Sequence, residues 1–198
     1  MNVIQSFFLP LLIVMGMENV YSETQERTIK SDSFEASKKN DKNFLKFVGS
    51  STKIGLLTTE FEGHAKDYTW TYERNGTEMK NVILKLNVSQ LDTDSNKRND
   101  KMLHQCLEVD KFPNLVAKLS GPILLKEGSS QEVPIQFFIK DKTLERKLKY
   151  TVIKYSEKGE TEISFSTDFS FVEAGIKDPS IWVAKVSEMF SIMGKWTL

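Results

Sequence analysis

The sequence predicts an all-β domain, an antiparallel sandwich or barrel that carries one short helical insert. Three observations predict it. Several runs alternate apolar and polar residues with a period of two, turn residues separate those runs, and one stretch, Asn96 to Glu108, switches to helical spacing. The composition is ordinary for a globular chain, with 198 residues, 39% hydrophobic and 27% charged. That length is accommodated by a single domain.

The first segment is read apart from the fold. Phe7 to Met15 is an uncharged apolar run as long as a signal-peptide core and too short to span a bilayer. Small side chains at Val20 and Ser22 suit a signal peptidase, so residues 1–22 are expected to be a signal peptide and the remainder to be exported. Glu18 is the one charged residue removed with it, and the charge balance barely changes. Residues 23–33 are polar with few apolar anchors and are expected to be a flexible lead-in, with the folded domain running over 34–198 from Phe34.

The strands follow in order. Tyr68, Trp70 and Tyr72 alternate with Thr69 and Thr71 and run into Asn75-Gly76, the strongest short hairpin signal in the chain. Val82, Leu84, Leu86 and Val88 alternate with Ile83, Lys85 and Asn87 in the clearest strand. Ile135, Phe137 and Ile139, then Leu148, Tyr150 and Val152, then Ile163 through Phe171 repeat the pattern, with turns at Lys140 to Lys142 and Lys158-Gly159. Trp182, Ala184, Val186, Phe190 and Ile192 continue it in the tail. In the insert, Met102, Leu103, Cys106 and Leu107 share one helical face; Asp94 or Ser95 caps its start and Phe112-Pro113 stops it.

Several function classes are excluded or disfavoured by composition. Twenty-seven basic residues balance twenty-seven acidic ones, so no single-sign field is available for nucleic acid. One cysteine, Cys106, and two histidines, His64 and His104, support neither an internal disulfide nor a four-ligand zinc site. Asp92 to Asn96 opens like a calcium loop, but Lys97 and Leu103 stand where Gly and Glu are needed, so a turn and helix cap is the simpler reading. Serine-elbow, Walker and dinucleotide glycine motifs are missing. Cys106 reads as a small core hydrophobe, His64 as a surface imidazole, and Glu60 and Glu62 as exposed charge around Phe61. Asn75-Gly76-Thr77 and Asn87-Val88-Ser89 match the glycosylation sequon, which has meaning only in a eukaryotic host. No catalytic residue, metal site or cofactor is assigned.

An eight-strand barrel is wide enough to be filled by side chains or to hold one small ligand. Inward-pointing Phe47, Phe61, Leu84, Leu86, Phe137, Phe165 and Phe169 would line it with apolar surface, and the residues alone leave both outcomes open.

Leu91-Asp92-Thr93-Asp94-Ser95-Asn96-Lys97-Arg98-Asn99-Asp100-Lys101-Met102-Leu103, followed by Cys106 to Pro113, resembles the signature of the YceI-like, or polyisoprenoid-binding, family. Phe61-Glu62-Gly63 is similar to that family's early Gly-x-Phe-x-x-Phe-x-Gly strand, and Gly175-Ile176 after Phe169-Ser170-Phe171 to its late Phe-Gly-Ile segment. Cys106, Ala174 and Asp141 depart from it, standing where an aromatic, a Phe and a hairpin Gly are usual. The resemblance implies a lipocalin-like antiparallel barrel of about eight strands with a helical insert, exported to the periplasm or secreted by a bacterium, without a transmembrane anchor. It implies an apolar tunnel for an isoprenoid, a quinone-like molecule or another long-chain lipid, and no catalytic residues. The candidate tunnel-lining residues are Phe47, Phe61, Trp70, Leu84, Leu86, Phe137, Phe165, Phe169, Val186 and Phe190. The rival expectation is a ligand-free envelope interaction module whose contact patch is an exposed face of Tyr68, Trp70 and Tyr72.

Overall fold

The computed structural model describes residues 23–53 and 57–198. The expected signal peptide, 1–22, lies outside the described residues. The expected all-β architecture is present, with more strands than the eight expected. Strand β1 (Thr24–Lys30) and helix α1 (Phe34–Lys39) precede β2 (Phe44–Lys53), β3 (Thr58–Ala65), β4 (Asp67–Asn75), β5 (Glu78–Asn87) and the short β6 (Leu91–Asp92). Helix α2 (Asn96–Asp100) leads to β7 (Asn114–Leu119), β8 (Ile123–Leu124), β9 (Ser130–Ile139), β10 (Lys142–Lys154), β11 (Glu162–Ser170), β12 (Ala184–Val186) and β13 (Met189–Thr197). The excess over eight comes largely from β6, β8 and β12, two or three residues each, which patch the rims of longer strands. Among the described residues no helix is long and apolar enough to cross a membrane.

The wall is one antiparallel path, β4-β5-β7-β9-β10-β11-β13-β2-β3, that curls on itself. Its two ends, β3 and β4, are consecutive in the chain with only Lys66 between them, so covalent continuity brings the path back to its start. Among the described residues no ladder joins these two strands. The seam is stitched instead by single bonds: Lys66 N donates to Gln90 O at 2.9 Å, Ser31 N to Lys66 O at 2.7 Å, and Ser37 Oγ to Ala65 O at 3.2 Å. Edge strands left bare invite pairing with other chains, and here β1 covers β4 while β6 covers part of β3.

Residues 23–33, expected to be a lead-in, contain β1, which pairs with β4 over all seven of its residues. Their polarity suits an edge strand open to water, which needs ladder bonds and no buried face; all of β1 except Ile29 is exposed. Helix α1 has readable signals, a Ser33 cap whose side chain accepts from Ala36 N, an acidic first turn at Glu35 and basic residues at Lys38 and Lys39. The expected insert is a helix of two kinds: α2 is α-helical and Lys101–Cys106 continues as a π-helix, in which Leu107 N donates to Met102 O. That wider turn brings both Cys106 and Leu107 into buried positions.

The expected hairpin forms one residue later than Asn75-Gly76: Asn75 ends β4 opposite Glu78, and Gly76 and Thr77 make the turn, with Gly76 at φ +55°. At the β9–β10 turn the positive φ falls on Lys140 rather than on Asp141. The tail departs from the expected strand: Trp182 is 91% exposed and precedes β12.

His64, expected at the surface, is buried beside α1, where the Phe34 ring meets it edge-on at 5.1 Å. Lys46 and Asp92 face it across the neighbouring strands, and Glu62 lies 3.7 Å from its Nε2. Burial pushes its pKa down, against the opposing pull of the Glu62 carboxylate. Glu62 is also not simply exposed charge: hydrogen bonds and charge from Lys38 at 2.8 Å and Lys46 at 3.1 Å outweigh its burial and lower its pKa to about 2. Glu62 thus ties α1 to the wall.

Both shifts carry a pH dependence of the same sign. A carboxyl with a depressed folded pKa adds stability above its unfolded value and loses it as pH falls towards 2; an imidazole kept neutral by burial subtracts stability below its unfolded value. Glu62→Gln should therefore cost on the order of 2 kcal/mol at pH 7, allowing for partial exposure, and little near pH 2. His64→Phe, which keeps a ring against Phe34, should flatten the loss of stability between pH 7 and 5; denaturant melts of both variants from pH 7 down to pH 2 check this. A steric prediction concerns Gly194, where an added Cβ would meet the Phe165 ring and lie 2.7 Å from the Phe44 carbonyl oxygen, which cannot rotate away. Gly194→Ala should lower stability by about 1–3 kcal/mol, read as a fall of several degrees in Tm.

Candidate functional site

Alternation sends one face of every wall strand inward. On β5, Val82, Leu84 and Leu86 are buried while Lys85 and Asn87 point out, and on β9, Val133, Ile135, Phe137 and Ile139 do the same. The inner faces do not fill the space they enclose. They leave a cavity of about 480 Å³, within the range of small-molecule sites.

Its deep side is closed by stacked rings. Trp70 on β4 lies flat against Tyr72 at 4.6 Å and against Trp196 on β13 at 4.3 Å, and Phe165 on β11 follows Trp196 at 4.3 Å. These strands are far apart along the sheet path, so the stack crosses the interior. Phe165 lies over Gly194, its direct cross-strand partner, where any side chain would push the ring into the cavity. Phe47 uses Gly63 in the same way. This close approach is the structural reason for glycine in the Phe61-Glu62-Gly63 segment.

Nine of the ten candidate lining residues face the cavity: Phe47, Phe61, Leu84, Leu86, Phe137, Phe165, Phe169, Val186 and Phe190. Phe190 meets Phe47 and Phe61 edge-on, both at 5.9 Å, and Phe137 meets Phe169 likewise. Trp70 does not line it: it is fully buried, and Tyr72 and Trp196 occupy its two ring faces. Trp196, absent from the expected set, takes that place in the lining. Tyr68 and Tyr72 are buried with Trp70, which removes the exposed aromatic patch on which the interaction-module reading stood.

The lining residues missed by sequence reasoning fall into two groups. Ile135 and Ile139 share a face with Phe137, so the period of two contains them, and Ala117 belongs to β7, a strand that the sequence pattern does not mark. Met102, Cys106, Pro179 and Ile181 come from the insert and the loop before β12, where no strand period applies.

Polar groups gather at one end. Of the lining residues, only Lys97, Arg98 and Ile181 are exposed, which places the opening between α2 and the loop before β12. Arg98 Nη1 donates to Thr93 O at 3.1 Å and its guanidinium lies 4.9 Å from the centre of the Phe61 ring. Asn99 Oδ1 accepts from Thr93 N at 2.9 Å and Thr93 Oγ1 at 2.6 Å, while Asn99 Nδ2 donates to Asp92 at 2.8 Å. Burial pushes the Asp92 carboxyl up, and bonds from Asn99, the Asp94 backbone and Lys66 more than offset this. The segment that opens like a calcium loop is thus a hydrogen-bonded turn, with Asp94 at φ +56° and Ser95 as the cap of α2. Cys106 is buried and its thiol pKa is raised by burial, the setting of a packing group rather than a nucleophile.

Comparison with solved structures gives fifteen matching chains. Burkholderia cenocepacia BcnA superposes with a TM-score of 0.62 at 15% identity, covering 78% of this chain and 96% of that one. A domain from Saccharophagus degradans, described as polyisoprenoid-binding and implicated in plant cell wall breakdown, gives 0.54 at 11% identity, covering 78% and 92%. A Campylobacter jejuni YceI protein gives 0.53 at 12% identity, covering 74% and 93%. At such identities these likenesses establish the fold. A search of curated proteins finds no match. The family model described as the YceI-like domain matches residues 38–193, from α1 into β13, and the chain belongs to that family.

Proposed function

We propose that this is an exported lipid-binding protein that sequesters or carries a polyisoprenoid-like or related amphiphilic chain in its apolar tunnel. The observation that carries the reading is the cavity itself, walled by aliphatic and aromatic side chains with its exposed polar groups at one end. An amphiphile matches that polarity, with its chain inside and its head at Lys97 and Arg98. The Saccharophagus degradans relative, described as a polyisoprenoid-binding domain, supports the same class of guest. Export is supported by the apolar run from Phe7 to Met15.

Binding rather than turnover is the mechanism. Each methylene moved from water into the tunnel gains about 0.8 kcal/mol, and ordering of the chain offsets much of the total. The wall supplies shape: flat stacked rings at the closed end stop the chain, and edge-on rings around Phe190 grip it nearer the opening.

Delipidated protein should take up a long-chain isoprenoid alcohol or quinone saturably and with unit stoichiometry, read by native mass spectrometry and by analysis of the organic extract. Ala117→Phe, which puts a ring into the cavity from β7, should reduce that uptake by tenfold or more while the far-ultraviolet circular dichroism stays that of the parent. Absence of saturable uptake by the parent protein overturns the reading.

A further inference from the structure

Trp182 is the largest exposed hydrophobic side chain of the described residues, and it sits beside the tunnel opening. It occupies a tight turn in which Ile181 N donates to Ala184 O at 2.9 Å and Ala184 N donates to Ile181 O at 3.0 Å. The turn is pinned on three sides. Lys101 Nζ donates to Ser180 O at 2.9 Å, Val186 N donates to Ser180 Oγ at 2.9 Å, and β12 pairs with β2 from Ala184 opposite Lys53. At the tip Trp182 is 91% exposed, with Ile181 at 51% and Val183 at 48%. Ile181 also lines the tunnel, so the exposed apolar tip and the apolar interior are continuous.

The surroundings are basic. Lys97, Arg98 and Lys101 rim the opening, and Lys53 and Lys185 flank the turn on β2 and β12. Among the described residues none of these five cations lies within ion-pair distance of a carboxylate. The nearby acids accept hydrogen bonds from serines, Asp178 from Ser180 N at 2.8 Å and Glu188 from Ser170 Oγ at 2.7 Å, which leaves a carboxylate's charge in place. The Ser180 bonds and then the charges of Lys185 and Lys101 lower the Asp178 pKa, and the five cations outnumber these two acids.

We propose that the Ile181–Ala184 turn is a membrane-docking tip whose partner is a bilayer surface bearing anionic lipid. Tryptophan has an apolar body and one N–H donor, and it partitions to the headgroup level of bilayers. Lysines within a Debye length of an anionic surface add attraction that falls with salt. A tip with both features, held rigid at the opening, presses the tunnel mouth against the lipid, and an apolar chain passes between bilayer and tunnel without crossing water. The passage of cargo rests on the tunnel reading above; docking by itself does not.

Fluorescence tests this directly, because the other two tryptophans, Trp70 and Trp196, are buried and stacked, so a change in environment on docking reports Trp182. Adding vesicles of phosphatidylcholine mixed with phosphatidylglycerol to the delipidated full domain should blue-shift emission, and lipids brominated on the chain should quench it. Read by co-sedimentation with vesicles, which does not depend on the Trp182 signal, Trp182→Ala should weaken partition about tenfold, and Lys185→Ala about fivefold, with high salt abolishing the preference over pure phosphatidylcholine. Trp182→Ala should leave equilibrium uptake of an isoprenoid alcohol in solution unchanged and slow its extraction from vesicles. Unshifted emission with vesicles, or partition unaffected by Trp182→Ala, overturns the proposal. So does a shift that grows with protein concentration without lipid and accompanies a dimer mass in sedimentation, since a second copy then covers the turn. Docking without uptake overturns the tunnel reading and leaves the tip standing; uptake without docking does the reverse.

Discussion

A sheet that curls until its inner face meets itself must either fill the enclosed space or leave it open, and the stack of Tyr72, Trp70, Trp196 and Phe165 separates the two outcomes here. Away from the cavity lie fully buried side chains such as Met79 and Ile123, paired across β5 and β8 and packed as in any core. Beside the stack, where Trp196 and Phe165 line it, lies the tunnel. Flat rings at about 4.5 Å centroid spacing are poorly compressible, and they brace β4 against β13 across the interior. Without such a brace, hydrophobic pressure would draw the wall inward and the aliphatic residues around the cavity would meet one another.

Much of this was legible in the residues. The period of two in β5, β9, β10 and β11 was read correctly because each has one wet face and one apolar face, and the turn at Gly76 because its backbone demands positive φ. Leu84, Leu86, Phe137, Phe165 and Phe169 share that parity, whereas Phe47 and Phe61 come from β2 and β3, which no alternation marks. What was not legible depends on contacts between elements distant in sequence. Trp70 has the inward parity of its strand, but a ring from β13 covers it. His64 looks like a surface imidazole until α1 folds across it. β1 lacks the apolar alternation that identifies a strand, because an outer edge strand is held by its ladder alone. The π-turn after α2 changes which side chains share a face, something no fixed helical period can encode.

The most motif-like stretch of the sequence forms a polar network under the opening, and only its Lys97 and Arg98 reach the exposed rim of the cavity. Asp92, Thr93, Arg98 and Asn99 use their hydrogen-bonding capacity on one another and on the backbone. Their work is to set the position of α2, so that Met102 and Cys106 reach the cavity and Arg98 lies over Phe61. A short segment of exacting polar geometry thereby positions a long apolar wall whose individual residues are interchangeable in kind.

The break between β3 and β4 gives the wall the mechanics of a slit tube rather than a closed hoop. In a hoop every increase in girth stretches ladder bonds all round the ring. In a slit tube the girth changes by flexing the far wall, and the strain gathers at the slit. Here α1 is held to the β3 side of the slit by the Lys38–Glu62 ion pair and the Ser37 bond to Ala65, and β1, just before it in the chain, pairs with β4 on the other side, so the clasp is built from the polar residues that precede the wall in sequence. The width of the slit is thereby set by one edge strand and one short helix, outside the aromatic packing of the interior.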